Sequence, residues 1–162
     1  MASLRRGGGR EKGGRWAGEP RHAKSARRRH SHTWHVCEYG LVHEVDLFHS
    51  CEVDHVLSLK HGGQTTAENL ACACFHCNRH KGTDLGSVST CTGGLIRFFK
   101  PRSDAWRRHF QWNEGAIEPL TDIGEVTARL LDFNHPERVA FRKLLAETGR
   151  YPSVEVLARL RE

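Results

Sequence analysis

The chain has 162 residues, 38% hydrophobic and 27% charged, with a formal net charge of +6. That length allows one domain with a modest core and tails, and no apolar run reaches the roughly 18 residues a membrane helix needs. The opening MASLRRGGGREKGG is charged but has no apolar h-region, and nothing hydrophobic follows the Arg5-Arg6 pair, so neither a secretory nor a twin-arginine leader is expected.

Charge is unevenly placed. Residues 1–30 hold ten Lys/Arg against two Glu, while the rest of the chain holds fifteen against seventeen. The first segment is rich in Gly and Arg and lacks apolar periodicity. It cannot bury enough surface to offset its ordering entropy, so residues 1–30 are expected to form a disordered basic tail. Such a tail either solubilises the chain or acts as a non-specific phosphate-binding arm. The expected location is cytoplasmic, with no membrane association.

Residues 32–40, HTWHVCEYG, read as a short strand or knuckle that turns at Gly40. Residues 41–59 are rich in Val and Leu with partial alternation, which predicts extended structure ending at Leu59. KHGGQTTAEN (60–69) is loop chemistry, LACAC (70–74) a short strand, and FHCNRHKG (75–82) one or two helical turns closed by Gly82. Residues 93–112 mix aromatics with five Lys/Arg and one Asp, and read as a hairpin covering the core with cations at its rim. Three helices are expected beyond it. The first is capped by Thr121, with Ile123, Val126 and Leu130 on one face; the second opens at Pro136 and ends at Gly149; the third is capped by Ser153. The expected organisation is the tail, a domain over 31–118 that includes the hairpin region, and a helical segment over 119–162 packed on it.

Cysteines stand at 37, 51, 72, 74, 77 and 91. In a reducing compartment they read as thiols or metal ligands. Cys74 and Cys77 form a C-x-x-C, but the βαβ pattern of a thiol oxidoreductase is missing, which favours metal. Cys72 and Cys91 are expected to be small buried hydrophobes. The Asp54-His55 pair gains meaning from its company. If the polar loop folds back, Asn69 lands beside His55 and its amide can fix the histidine backbone. Asn78, on the following helix, can then offer its carbonyl oxygen opposite Asp54. That is a two-residue oxygen site beside a candidate base, an incomplete shell that suits Mg²⁺-like ions.

The ensemble of Asp54-His55, Gly62-Gly63, Asn69-Leu70, Cys74-x-x-Cys77-Asn78 and Lys81-Gly82 resembles the HNH endonucleases. The resemblance is clearest from Cys37 to Asp84. It implies an α+β fold with a small ββα-metal core (the His-Me finger), a zinc-knuckle-like element and C-terminal helices. It further implies DNA phosphodiester hydrolysis leaving 3′-hydroxyl and 5′-phosphate ends. His55 would be the general base, Asn69 would orient it, and Asp54 with Asn78 would bind one divalent cation such as Mg²⁺. Arg79 and Lys81 would contact phosphate. His80, four residues from His76, is the runner-up ligand at the Asn78 position.

One element departs from the pattern. Similar proteins hold the fold with structural Zn²⁺ bound by two C-x-x-C pairs, and the first pair here reads CEYG, with Gly40 in the partner position of Cys37. Cys37, Cys74 and Cys77 are therefore expected to recruit His43, His49 or Cys51 as a fourth ligand, or else the site is degraded. A rival reading is a non-catalytic zinc-knuckle module that binds nucleic acid. Such a module would need the cysteines and cations but not an oriented base.

Overall fold

The computed structural model describes residues 35–159, so the expected basic tail lies outside the described residues. The architecture is α+β, with three two-stranded antiparallel sheets and short helices. Strand β1 (Glu52–His55) pairs with β2 (Leu70–Ala73), placing Asp54 opposite Ala71 and His55 opposite Leu70. Every residue of β2 is buried, so its small and thiol side chains pack on both faces of the hairpin. Helix α1 (Phe75–Lys81) follows after Cys74 and stops at Gly82, whose φ of 52° favours glycine. This ββα unit carries the predicted site.

Extended structure does not run through residues 41–59. Glu44–Asp46 is a 3₁₀ turn in which the His43 side chain accepts from the Val45 amide, and β1 begins only at Glu52. A local side-chain cap offered the backbone an alternative to a strand. The hairpin expected over 93–112 is also divided. β4 (Leu95–Arg97) pairs backward with β3 (Gly86–Val88), and α2 (Trp106–His109) separates it from β5 (Phe110–Asn113). The Asp104 carboxylate accepts from Arg97 at 2.5 and 3.0 Å and from the Lys100 amide at 2.8 Å, which folds the segment on itself. β5 pairs forward with β6 (Ala116–Pro119) through Glu114 and Gly115, at φ 45° and 89°, the signature of a type I′ turn. A Cβ at Gly115 would stand 2.5 Å from the Val139 carbonyl oxygen, so only glycine fits there.

Helices α3 (Asp122–Leu130), α4 (Pro136–Glu147) and α5 (Val154–Arg159) form where their caps predict. The Thr121 hydroxyl accepts from the Gly124 amide at 3.1 Å. Phe99, Phe110, Ile117, Val126, Leu131 and Phe133 are buried in the core between these helices and the hairpin. Arg142 is buried with them and donates to the carbonyls of Gly115 (2.6 Å) and Phe133 (2.7 Å), which joins α4 to the β5–β6 turn. Glu38 accepts a two-pronged bond from Arg102 at 2.7 and 2.6 Å and another from the Cys72 amide, tying the knuckle to β2. Cys91 departs from expectation. It is exposed, because it sits in the polar turn between β3 and β4.

Candidate active site and thiol cluster

Strand alternation puts Glu52 and Asp54 on one face of β1, and α1 lies over that face. Two rungs join them. Asn78 Nδ2 donates to Glu52 Oε2 at 2.5 Å, and Lys81 Nζ stands 3.1 Å from Asp54 Oδ2. Three residues apart, Asn78 and Lys81 share a helix face. Asp54 also accepts from the Tyr39 hydroxyl at 3.3 Å. Burial pushes its carboxyl above the usual range, while the Lys81 ammonium and the Tyr39 bond oppose that push.

Lys81, for which the resemblance implies a phosphate contact, is turned inward. Its side chain is 1% exposed, and its ammonium also donates to the His55 carbonyl at 2.8 Å. The acidic face of β1 draws it inward. Arg79 is exposed, with its guanidinium 5.9 Å from the centre of the Phe75 ring.

His55 ends β1 half-buried, and its Nε2 lies 2.9 Å from Thr65 Oγ1. Asn69 holds the loop that delivers Thr65. Its Oδ1 accepts from the Leu57 amide at 2.8 Å, and its Nδ2 donates to the carbonyls of Leu57 (2.9 Å) and Gln64 (2.8 Å). The amide thus clamps the chain two residues after His55 and one residue before Thr65, where the sequence pointed to the His55 backbone itself. The Gly-Gly pair makes room for the clamp. A Cβ at Gly63 would lie 1.8 Å from the Leu57 oxygen and 2.9 Å from Asn69 Nδ2. Oxygen donors of Asp54, Glu52 and Asn78 on facing surfaces make a hard-ligand set that suits a small divalent cation. Glu52, Thr65 and Tyr39 were not singled out from the sequence. The period-two spacing of Glu52 and Asp54 was the available signal for the first.

The Sγ atoms of Cys37, Cys74 and Cys77 are buried and lie within 4.8 Å of one another. This is the one group of three or more His, Cys, Asp or Glu donors with metal-site spacing among the described residues. Hydrogen bonds from Cys37 and Cys77 hold the Cys74 thiol well below its usual range. Three soft donors at such spacing could hold a metal ion. Among the described residues, no substitute ligand joins them. His43 caps its own turn, His49 packs against Phe48 and Phe75, and the free thiol of Cys51 is hydrogen-bonded to that of Cys72. Instead, Arg138 Nη2 donates to Cys77 Sγ at 3.1 Å. His76 and His80 are exposed and line a cavity of about 670 Å³ together with His135 and Cys74; Asp54, His55 and Asn78 do not line it.

Residues 36–84 match the family model described as HNH endonuclease. This segment is similar to an HNH domain. The match begins one residue before Cys37 and closes three residues after Lys81, so both the thiol cluster and the β1–α1 rungs fall inside it. No curated protein and no solved structure matches the chain. HNH domains are in general nuclease domains that act on nucleic acid and bind metal. Among the described residues, no helix is long and apolar enough to cross a membrane.

Proposed function

We propose that the protein is a metal-dependent endonuclease that hydrolyses DNA phosphodiester bonds, leaving 3′-hydroxyl and 5′-phosphate ends. The observation that carries this reading is the meeting of the Glu52–Asp54 face with the Asn78–Lys81 face beside a histidine held by its own loop. Asp54 and Asn78 would hold a divalent cation such as Mg²⁺. When bound, that ion supplies positive charge against the phosphate and the departing oxygen.

His55 is the general base. With Thr65 Oγ1 accepting from Nε2–H, Nδ1 keeps the lone pair and takes the proton from the attacking water. Asn69 and Thr65 are positioning residues. Arg79, exposed at the end of α1, meets a neighbouring phosphate, and Lys81 balances Asp54 rather than touching DNA. In this reading the nuclease unit spans 31–118, the segment 119–162 packs on it, and residues 1–30 extend the DNA contact. Six free cysteines suit a reducing, cytoplasmic compartment.

One observation favours the rival, a non-catalytic nucleic-acid-binding module. In the ion pair with Lys81, Asp54 already has a cationic partner. The test is nicking of supercoiled plasmid with Mg²⁺ or Mn²⁺ against a chelated control. The nuclease reading expects nicking that chelation abolishes. Folded protein that binds the plasmid without nicking it in either metal moves the binding module ahead.

Thr65→Val separates positioning from folding. Loss of one hydrogen bond to the base lowers kcat about tenfold, the equivalent of ~1.4 kcal/mol, with KM unchanged. A change in KM alone would place Thr65 at the substrate instead.

A further inference from the structure

The geometry points to Arg138 as the residue that closes the cysteine cluster in place of a fourth ligand, so that Cys37, Cys74 and Cys77 bind one zinc ion as a three-thiolate centre charge-balanced by this arginine.

Gly40 marks the corner where a fourth ligand belongs. A Cβ built on it would lie 3.7 Å from Cys77 Sγ and 4.0 Å from Cys37 Sγ, so a side chain here would point into the cluster. The same Cβ would stand 3.5 Å from Arg138 Nη2, which itself donates to Cys77 Sγ at 3.1 Å. The guanidinium therefore fills the space that glycine leaves open.

Other bonds fix it there. Nη1 donates to the carbonyls of Leu131 (2.6 Å) and Asp132 (2.7 Å), and the guanidinium carbon lies 5.8 Å from the centre of the Phe133 ring. Arginine presents a rigid fork of donors and cannot lose its proton in this setting, so it brings a permanent positive charge to the thiolates. Zinc bound by three thiolates carries one net negative charge, and burying that charge is costly unless a cation balances it. Arg138 supplies the cation from α4, a helix outside the HNH match. Gly40 also anchors this side of the fold, because its carbonyl accepts from the Tyr151 hydroxyl at 3.2 Å.

The test uses the full chain stripped of metal and reloaded. Zinc affinity is read by competition with a chromophoric chelator, and thiolate count by the charge-transfer absorbance of the cobalt(II) form. Wild type takes up one zinc. Arg138→Met weakens binding about 10–100-fold, the range for partners that support metal ligands, and Arg138→Lys recovers part of the loss. The Tm of Arg138→Met falls more for the zinc-loaded protein than for the metal-free one, whereas a purely structural arginine would lower both alike. Gly40→Cys tightens zinc binding more than about tenfold and raises the cobalt charge-transfer absorbance by about one third, from three thiolates to four.

The inference is overturned if wild type takes up no zinc, or if Arg138→Met keeps its affinity within about twofold. It is overturned equally if Gly40→Cys adds no thiolate to the cobalt form. Should Arg138→Met fail to fold, Arg138→Lys and Gly40→Cys still decide the question. None of these readouts involves DNA cleavage, so failure of the nuclease reading leaves the test intact.

Discussion

Plasmid nicking by His55→Ala falls about 10²–10⁴-fold below wild type, the usual contribution of a positioned general base. The loss is expected in kcat, because the imidazole acts on water and not on substrate affinity. Stability should change little. The His55 ring is half-buried and its Nε2 is bonded to Thr65, while its carbonyl bond to Lys81 survives the substitution. Added imidazole restores part of the rate if the missing group is a proton acceptor. Unchanged nicking by a folded His55→Ala protein would remove the histidine from the mechanism.

Lys81→Met is expected to reduce both stability and activity. The pair is almost fully enclosed, with side-chain exposures of 1% and 9%. Removing one partner leaves Asp54 as an uncompensated buried charge, which costs about 3–5 kcal/mol. Urea denaturation reads the loss as a lower midpoint at unchanged slope. Burial already raises the Asp54 carboxyl, and without the ammonium only the Tyr39 bond and the weaker pull of His55 resist that push.

A carboxyl whose folded pKa is raised stabilises the fold most below its unfolded value, and that contribution is lost as pH rises through the folded pKa. The stability deficit of Lys81→Met therefore narrows in acid and widens towards neutral pH. Residual nicking should need a higher pH than wild type, because the form of Asp54 that holds a cation appears later in the titration. A deficit independent of pH would mean that Asp54 does not carry the cost.

The residues of the candidate site were more legible in the sequence than their surroundings. Asp54, His55, Asn69, Asn78 and the C-x-x-C stand in a compact run whose residue types and order specify a ββα hairpin, and α3 to α5 announce themselves by their caps. The inward turn of Lys81 was not legible, because a lysine on a short helix is normally solvated. Its burial depends on an acid 27 positions earlier, across a fold-back. Thr65 looked like filler in a polar loop, and only the Asn69 clamp makes it a partner of His55. Arg138 gave no signal at all. Nothing in the local pattern of α4 points to a thiol 61 positions away. The division of residues 93–112 was hidden for a similar reason, since the carboxylate of Asp104 reverses a stretch whose apolar pattern reads as one ribbon.

The four residues from Cys37 to Gly40 each serve a different part of the molecule. Cys37 faces the thiols, Glu38 holds Arg102 and the Cys72 amide, Tyr39 reaches Asp54 while its carbonyl accepts from Trp106, and Gly40 meets Tyr151. Such a loop cannot be grafted as a cassette. Recombination that imported the corresponding tetrapeptide from an HNH domain, even one with the missing cysteine restored, would have to bring matching residues from four separate stretches of chain. Drift in this protein is thus channelled: strand β1 and the C-terminal helices can change only in step with the turn that ties them together.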